Sequence, residues 1–315
     1  MYTLQKIKEE VMDRLLAQGF KYLSIEEKEF FRAYYDKMND NWASSVSFAS
    51  MIAWNQSIKI YYKVIGDYIC CLAQDTAYHR WVILPFIGFY CKETMEKCMA
   101  ELIDIMEELG LPIIFTDISE WMLPYYNNLE IIRFEVSFHE GLSDYVYQAK
   151  DFEASWNRQS TRYDYNYFVR KNNPQLVIME HIHIQEYKDF ITETWCNNHN
   201  CDYCQYGCSM DADINLIEVL TEAEAKGITV YVDQKMIGYC IVTLERDQLF
   251  FHFKKSVHRV RGIGEYMHRQ CYELFGAGAN IVNYTEDLNI EGLRKYKQKL
   301  AKYELSHKYE LNRVL

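Results

Sequence analysis

One order of secondary-structure signals occurs twice in this 315-residue chain, and that repetition limits the fold more than any single motif does. "IKIYYKVIGDYICCLAQ" places two β-rich runs around Gly66-Asp67, which predicts a hairpin, and "RWVILPFIG" supplies a third strand. "KETMEKCMAELIDIMEELG" then carries Met95, Met99, Leu102 and Met106 at helical spacing, stopping at Gly110 with Pro112 two residues beyond. "PIIFTDIS" reads as a short buried strand and "EWMLPYYNNL" as a short helix or turn. In the second half, "GITVYVDQKMIGYCIVTLE" predicts a hairpin turning at Asp233-Gln234-Lys235, and "DQLFFHFKKS" a third strand. "GIGEYMHRQCYELFG" is the helix, with Ile263, Met267, Cys271 and Leu274 on one face, followed by the strand "NIVNYTE" and the helix "NIEGLRKYKQKLAKYEL". The halves share negligible sequence identity, so the duplication rests on element order. It predicts two domains, residues 1–140 and 141–315. Between them lies a tyrosine- and charge-rich stretch with no Gly/Ser/Pro tether.

Composition narrows the function classes. Apolar residues make up 49% of the chain, which excludes a disordered protein. The net charge of −11 argues against a DNA-binding protein, although a local basic pocket remains possible. The N-terminal "MYTLQKIKEEVMDRLLAQGF" is charged throughout, with Leu4, Ile7, Val11 and Leu15 on one helical face, and does not read as a secretory leader. The apolar stretch from Trp81 to Cys91 contains Pro85 and is too short to span a bilayer. With ten cysteines, the expectation is a cytoplasmic protein without an integral membrane segment.

"SVHRVRGIGEY" is the most basic short segment. Arg259, Arg261, Gly262, Ile263 and Gly264 follow a strand and open a helix, in an Arg-x-x-Gly-x-Gly pattern. Glycines there let successive backbone N–H groups face one point, and the helix N-terminus adds partial positive charge, so a pyrophosphate is the expected guest. The bland alternative is a helix entry that uses glycine for close packing. The pattern lacks the Lys-Ser/Thr of a Walker loop and the third glycine of a dinucleotide fingerprint.

Residues 228–300 resemble the GCN5-related N-acetyltransferase (GNAT) fold, in which such a loop holds the coenzyme A pyrophosphate beside a splayed strand. Nearly the whole chain resembles bacterial proteins similar to the phosphatidylglycerol lysyltransferase C-terminal domain. That likeness rests on "SFASMIAWN" (Ser47, Phe48, Trp54), on "DYVY" with Arg162, Asn166 and Phe168, and on "EDLNIEGLRKYK". Thr285 and Tyr163 depart from the family's Glu and Asn, a Tyr-Pro ending after Lys297 is missing, and Leu300-Ala301 replace the usual Gly-Phe. The resemblance implies an α/β (α+β) fold of two tandem GNAT-like domains, each a mixed, mostly antiparallel sheet flanked by helices. It implies an acyltransferase acting on an amine- or hydroxyl-bearing acceptor, a small molecule or an aminoacyl acceptor. The first half has only Gly88 where the loop should be and is expected to be degenerate.

The donor contacts so implied are Phe253 and Lys255 on the third strand, the loop residues Arg259 to Gly264, and Arg294 and Lys297 on the last helix. The last two also read as an exposed helix face. Tyr296 occupies the position of a general acid, although a packing role fits equally. Glu286 and Asp287 are the best-placed acids for a base, with His252 next; a helix cap and a core histidine are the plain alternatives. The acidic balance favours acyl-CoA as donor, while the family likeness favours aminoacyl-tRNA; the expectation leans to acyl-CoA. A degenerate ligand-binding or sensor protein is the competing class. Finally, "WCNNHNCDYCQYGC" gathers Cys196, Cys201, Cys204 and Cys208 with His199, which suits a metal knuckle or a set of plain thiols; the expectation is no metal.

Overall fold

The computed structural model describes residues 11–75, 80–180, 183–194, 196 and 209–314. Part of the N-terminal helix expected on Leu4 and Ile7 lies outside them, as do His199, Cys201, Cys204 and Cys208. The chain divides into Met1–His139 with His307–Leu315, and Glu140–Ser306.

In the first unit the expected elements form in order. The strands are β1 (Lys21–Tyr22), β2 (Ile60–Ile65), β3 (Tyr68–Asp75), β4 (Arg80–Ile83), β5 (Ile114–Ser119) and β6 (Phe134–Phe138). The hairpin β2–β3 turns where expected, with Gly66 at φ 57°. The helix Lys92–Leu109 buries Met95, Met99, Leu102 and Met106. Gly110 ends it at φ 67°, its N–H and that of Leu111 returning to the last helical carbonyls. β4 and β5 then run parallel but share one register pair, Ile83 with Phe115.

The second unit repeats this plan. Its strands are β7 (Asp144–Gln148), β8 (Gln175–Ile178), β9 (Lys226–Val232), β10 (Lys235–Glu245), β11 (Gln248–Ser256), β12 (Ile281–Asn283) and β13 (Tyr303–Ser306), in the spatial order β13-β7-β12-β11-β10-β9-β8. The helix Ile263–Phe275 connects β11 to its parallel neighbour β12, as Lys92–Leu109 connects β4 to β5. A matched pair of buried thiols marks the repeat. Cys70 on β3 lies 3.5 Å from Cys98 on its helix, and Cys240 on β10 hydrogen-bonds Cys271 on the corresponding helix. Burial pushes the Cys70 and Cys271 thiols up, which keeps them inert.

The duplication therefore holds, and each unit is a mostly antiparallel sheet flanked by helices. The strand β14 (Lys308–Arg313) departs from an uninterrupted second domain: it lies in the first sheet, between β5 and β6. Its contacts hold it there: Leu311 is fully buried, and Arg313 reaches Glu107 at 2.7 Å. Ending the chain after Ser306 should therefore cost the first unit at least about 3 kcal/mol through loss of the Leu311 packing alone. Hydrogen exchange is the check: amides of Ile114–Ser119 should lose protection while those of Gly238–Ser256 keep it. Unchanged protection in β5 would contradict this placement.

Candidate functional site

β11 pairs with β10 along its whole length, yet its parallel ladder with β12 covers only Gln248–Phe250. Register assigns the side chains beyond that point. Lys254 lies opposite Cys240, on the face packed by the helix Ile263–Phe275; Lys255 and Phe253 lie opposite Tyr239 and Ile241, on the other face.

On the first face three groups meet. The Lys254 ammonium donates to the Tyr296 hydroxyl and sits 3.9 Å from the centre of its ring and 5.3 Å from that of Tyr284. The same hydroxyl lies 3.2 Å from His268 Nδ1. Burial lowers the Lys254 ammonium to about 8. Burial and the neighbouring Lys254 charge hold His268 well below its usual value, so it is neutral. Burial, with the Glu265 charge, pushes Tyr296 well above the ordinary phenol value, so it stays protonated. Gly264, in the first helical turn, stands so close that a Cβ there would lie 3.2 Å from the Tyr296 oxygen.

The other expected residues are spread over different tasks. Asp287 is buried and accepts from Tyr145 Oη (2.8 Å), the Asn289 amide (2.8 Å) and Arg294 Nε and Nη2 (2.8 and 3.3 Å). Burial alone would raise its carboxyl; the Arg294, Tyr145 and Asn289 contacts outweigh that and lower it. An acceptor so fully used serves as a turn anchor, and it engages Arg294 as well. Lys297 is buried and donates to the carbonyls of Tyr284 (2.5 Å) and Glu286 (2.6 Å) and to Thr285 Oγ1 (3.2 Å), tying down the turn after β12. The Glu286 side chain is half-buried. Lys255 forms a buried ion pair with Asp213, whose carboxyl burial pushes up despite the ammonium. His252 bonds Thr243 Oγ1 at 2.7 Å, and burial lowers its ring to about 3.

In the loop itself, Arg259 is exposed at φ 63° and Gly262 adopts φ 84°. A side chain at Gly262 would collide with the Asp164 backbone and with Phe168 Cβ, so that glycine serves close packing on the helix Gln159–Asn172. Ile263 is core. Arg261 pairs with Asp164 at 2.6 Å. Lys254 and His268 are not among the residues expected from the sequence; the strand register opposite Cys240 and the helical spacing from Gly264 are the signals that point to them. Among the described residues no group of three metal-binding side chains gathers. No described helix is long and apolar enough to cross a membrane.

Residues 38–310 match the family described as phosphatidylglycerol lysyltransferase, C-terminal. The chain belongs to that family. No curated protein matches it by sequence. Among solved structures it is similar to a conserved protein of unknown function from Bacteroides thetaiotaomicron (TM-score 0.84, 19% identity, covering 94% of this chain and 99% of that one). It is also similar to L-PGS from Bacillus licheniformis (0.63, 15%, 90% and 91%). A tandem GNAT protein from the clavulanic acid biosynthesis pathway aligns at 0.53 with 10% identity over 92% and 97% of the two chains. At these identities the likenesses establish the tandem GNAT-like fold.

The anchoring role of Asp287 has a signature. Asp287→Asn removes the charge from its bonds to Arg294 and should lower stability by about 1.5–3 kcal/mol at neutral pH. A carboxyl depressed in the folded state stabilises above its unfolded pKa of about 3.9 and loses that contribution as pH falls through the folded value. Denaturant melts should therefore show the gap between wild type and variant closing below about pH 4. A variant as stable as wild type at pH 7 would remove the anchor.

Proposed function

We propose that this chain transfers an aminoacyl group from the ester of a charged tRNA to an amine- or hydroxyl-bearing acceptor, with Lys254 and Tyr296 at the reacting carbonyl. Aminoacyl or acyl transfer is the chemistry that its family and fold support. The carrying observation is the meeting of Lys254, Tyr296 and His268 where the β11–β12 ladder stops. The acceptor nitrogen or oxygen attacks the ester carbon, a new C–N or C–O bond forms, and the ester C–O bond breaks. Lys254 faces the charge that develops on the carbonyl oxygen. Tyr296, kept protonated, gives its proton to the departing oxygen and regains one from the Lys254 ammonium; the acceptor's proton leaves to solvent, and solvent returns one to Lys254, which closes the cycle. Neutral His268 holds the phenol in place.

Acyl-CoA is the second reading, favoured by the glycine loop and its first-turn amides, which have no intrahelical acceptor. Four of the five cations expected on a pyrophosphate weigh against it: Lys255 is engaged by Asp213, Arg261 by Asp164, Arg294 by Asp287 and Lys297 by turn carbonyls, which leaves the exposed Arg259. A binding protein without turnover is distinguished by the assay itself. In the first unit the corresponding space supports a non-catalytic role, because Phe86, Tyr90 and Tyr126 fill it. The Tyr126 hydroxyl takes the Phe86 amide at 3.1 Å and the Tyr90 hydroxyl its carbonyl at 2.8 Å.

Transfer from charged tRNA should be measured for wild type, Lys254→Met and Lys254→Arg across pH. Lys254→Met should lose about a hundred- to a thousandfold. An acceptor amine contributes the same rising limb to every variant, so the ratio of wild type to Lys254→Arg is the informative quantity. It should fall as pH rises through about 8, where the lysine discharges and the arginine does not. A ratio rising through that pH would make Lys254 a neutral base and refute its assigned role.

A further inference from the structure

We infer that the exposed face of the helix Gln159–Asn172, with the Arg259–Arg261 turn beside it, is a docking strip for the single-stranded end of the nucleic acid donor. The inference rests on the aminoacyl-tRNA reading above and deepens it by assigning a surface to the carrier.

The helix has two distinct faces. Phe168 is buried against Tyr266, with ring centres 5.1 Å apart, and Tyr165 packs on the same ring at 5.6 Å. Tyr163 and Tyr167, one turn apart, face away from that core, and Tyr163 is 51% exposed. Their rings are nearly parallel, 16° apart with centres at 6.4 Å. Core packing requires neither ring in that attitude. The Arg261 guanidinium lies 4.8 and 5.3 Å from the two ring centres, held there by Asp164, and the Lys171 ammonium lies 5.5 Å from Tyr167. Arg162, Arg170 and Arg259 are exposed nearby.

Within a chain of net charge −11, this helix carries three basic residues and one acid, Asp164, which pairs with Arg261, and the adjoining turn adds the exposed Arg259. Aromatic faces interleaved with cations are what sequence-tolerant binding of single strands requires: rings stack on bases, and cations follow the phosphates. Length separates this ligand from coenzyme A. From Tyr163 to Lys171 the helix rises about 12 Å, the span of about three stacked nucleotides, whereas coenzyme A offers one base. The strip also adjoins the loop that leads to Gly264 and Tyr296, so a bound 3′ end is directed at the reacting groups.

The test is fluorescence anisotropy on the full chain with a short 5′-labelled RNA ending in CCA, with coenzyme A as comparator. Wild type should bind the RNA with an affinity that falls steeply with salt. Tyr163→Ala with Tyr167→Ala should weaken it at least about tenfold with an unchanged circular dichroism spectrum, and the paired Tyr→Phe changes should restore it. Arg162→Gln with Arg170→Gln should reduce the logarithmic salt slope by about 1.4. Two results overturn the strip: RNA binding by the alanine pair as tight as wild type, or wild type that binds coenzyme A and not RNA. Transfer assays separate this from the catalytic reading. Lys254→Met should bind RNA normally and fail in transfer; wild type that binds RNA through the strip yet never transfers sinks the catalytic reading and keeps the strip.

Discussion

The parallel ladder between β11 and β12 stops after three residue pairs, and the second unit is built around what that shortness demands. Beyond Asn283 the backbone turns through Thr285, Leu288 and Asn289 in left-handed conformations, which non-glycine residues adopt only when their surroundings enforce them. Lys297 enforces the first part by binding the carbonyls of Tyr284 and Glu286; Asp287, with Tyr145 and Arg294, enforces the second. These contacts hold the helix Glu291–Leu300 at an angle that brings Tyr296 to Lys254 and His268. Residues that resemble phosphate ligands in the sequence are thus the braces that position the phenol.

Two adjacent lysines on β11 show how alternation sorts equal charges into different tasks. Lys255, on one face, meets Asp213 in a buried pair, where removing either partner would strand a charge. Lys254, on the other, meets a phenol and a neutral imidazole and has a lowered pKa. A buried ammonium bonded to a phenol, with the Glu265 charge only partly offsetting its desolvation, is costly to hold, and such groups concentrate at functional sites. In the first unit the corresponding region is filled by Phe86, Tyr90 and Tyr126, and Gly88 serves a close approach to Asp67 and Tyr68. One repeat holds a polar wedge and the other a packed aromatic core.

Much of this was legible in the sequence. Both hairpins, both crossover helices and their parallel return strands follow from turn residues and from periods of two and 3.6. The family likeness identified the tandem fold. The short strands β7 and β14 escape, because five or six residues of mixed polarity carry no periodic signal, and β13 corrects the expected last helix, which ends at Leu300 instead of running through Leu305; pairing partners distant in the chain define all three. The strand β14 moreover belongs to the sheet of residues 150 positions and more before it. Tyr296 is legible from the family likeness, but nothing in the sequence singles out Lys254, and the partners of Arg294, Lys297 and Asp287 give them other roles than the sequence suggests. Side-chain type fixes what a group can bind, whereas strand register and turn geometry fix what it does bind.

On the proposed function, the carbonyl reacts where the β11–β12 ladder ends. A crystal structure with an adenosine carrying a non-hydrolysable 3′-aminoacyl amide tests it most directly. The amide carbonyl should lie within hydrogen-bond distance, about 3 Å, of Lys254 Nζ or Tyr296 Oη, beside Gly264. A ligand bound with its carbonyl elsewhere, and Lys254 still closed on Tyr296, would contradict the account.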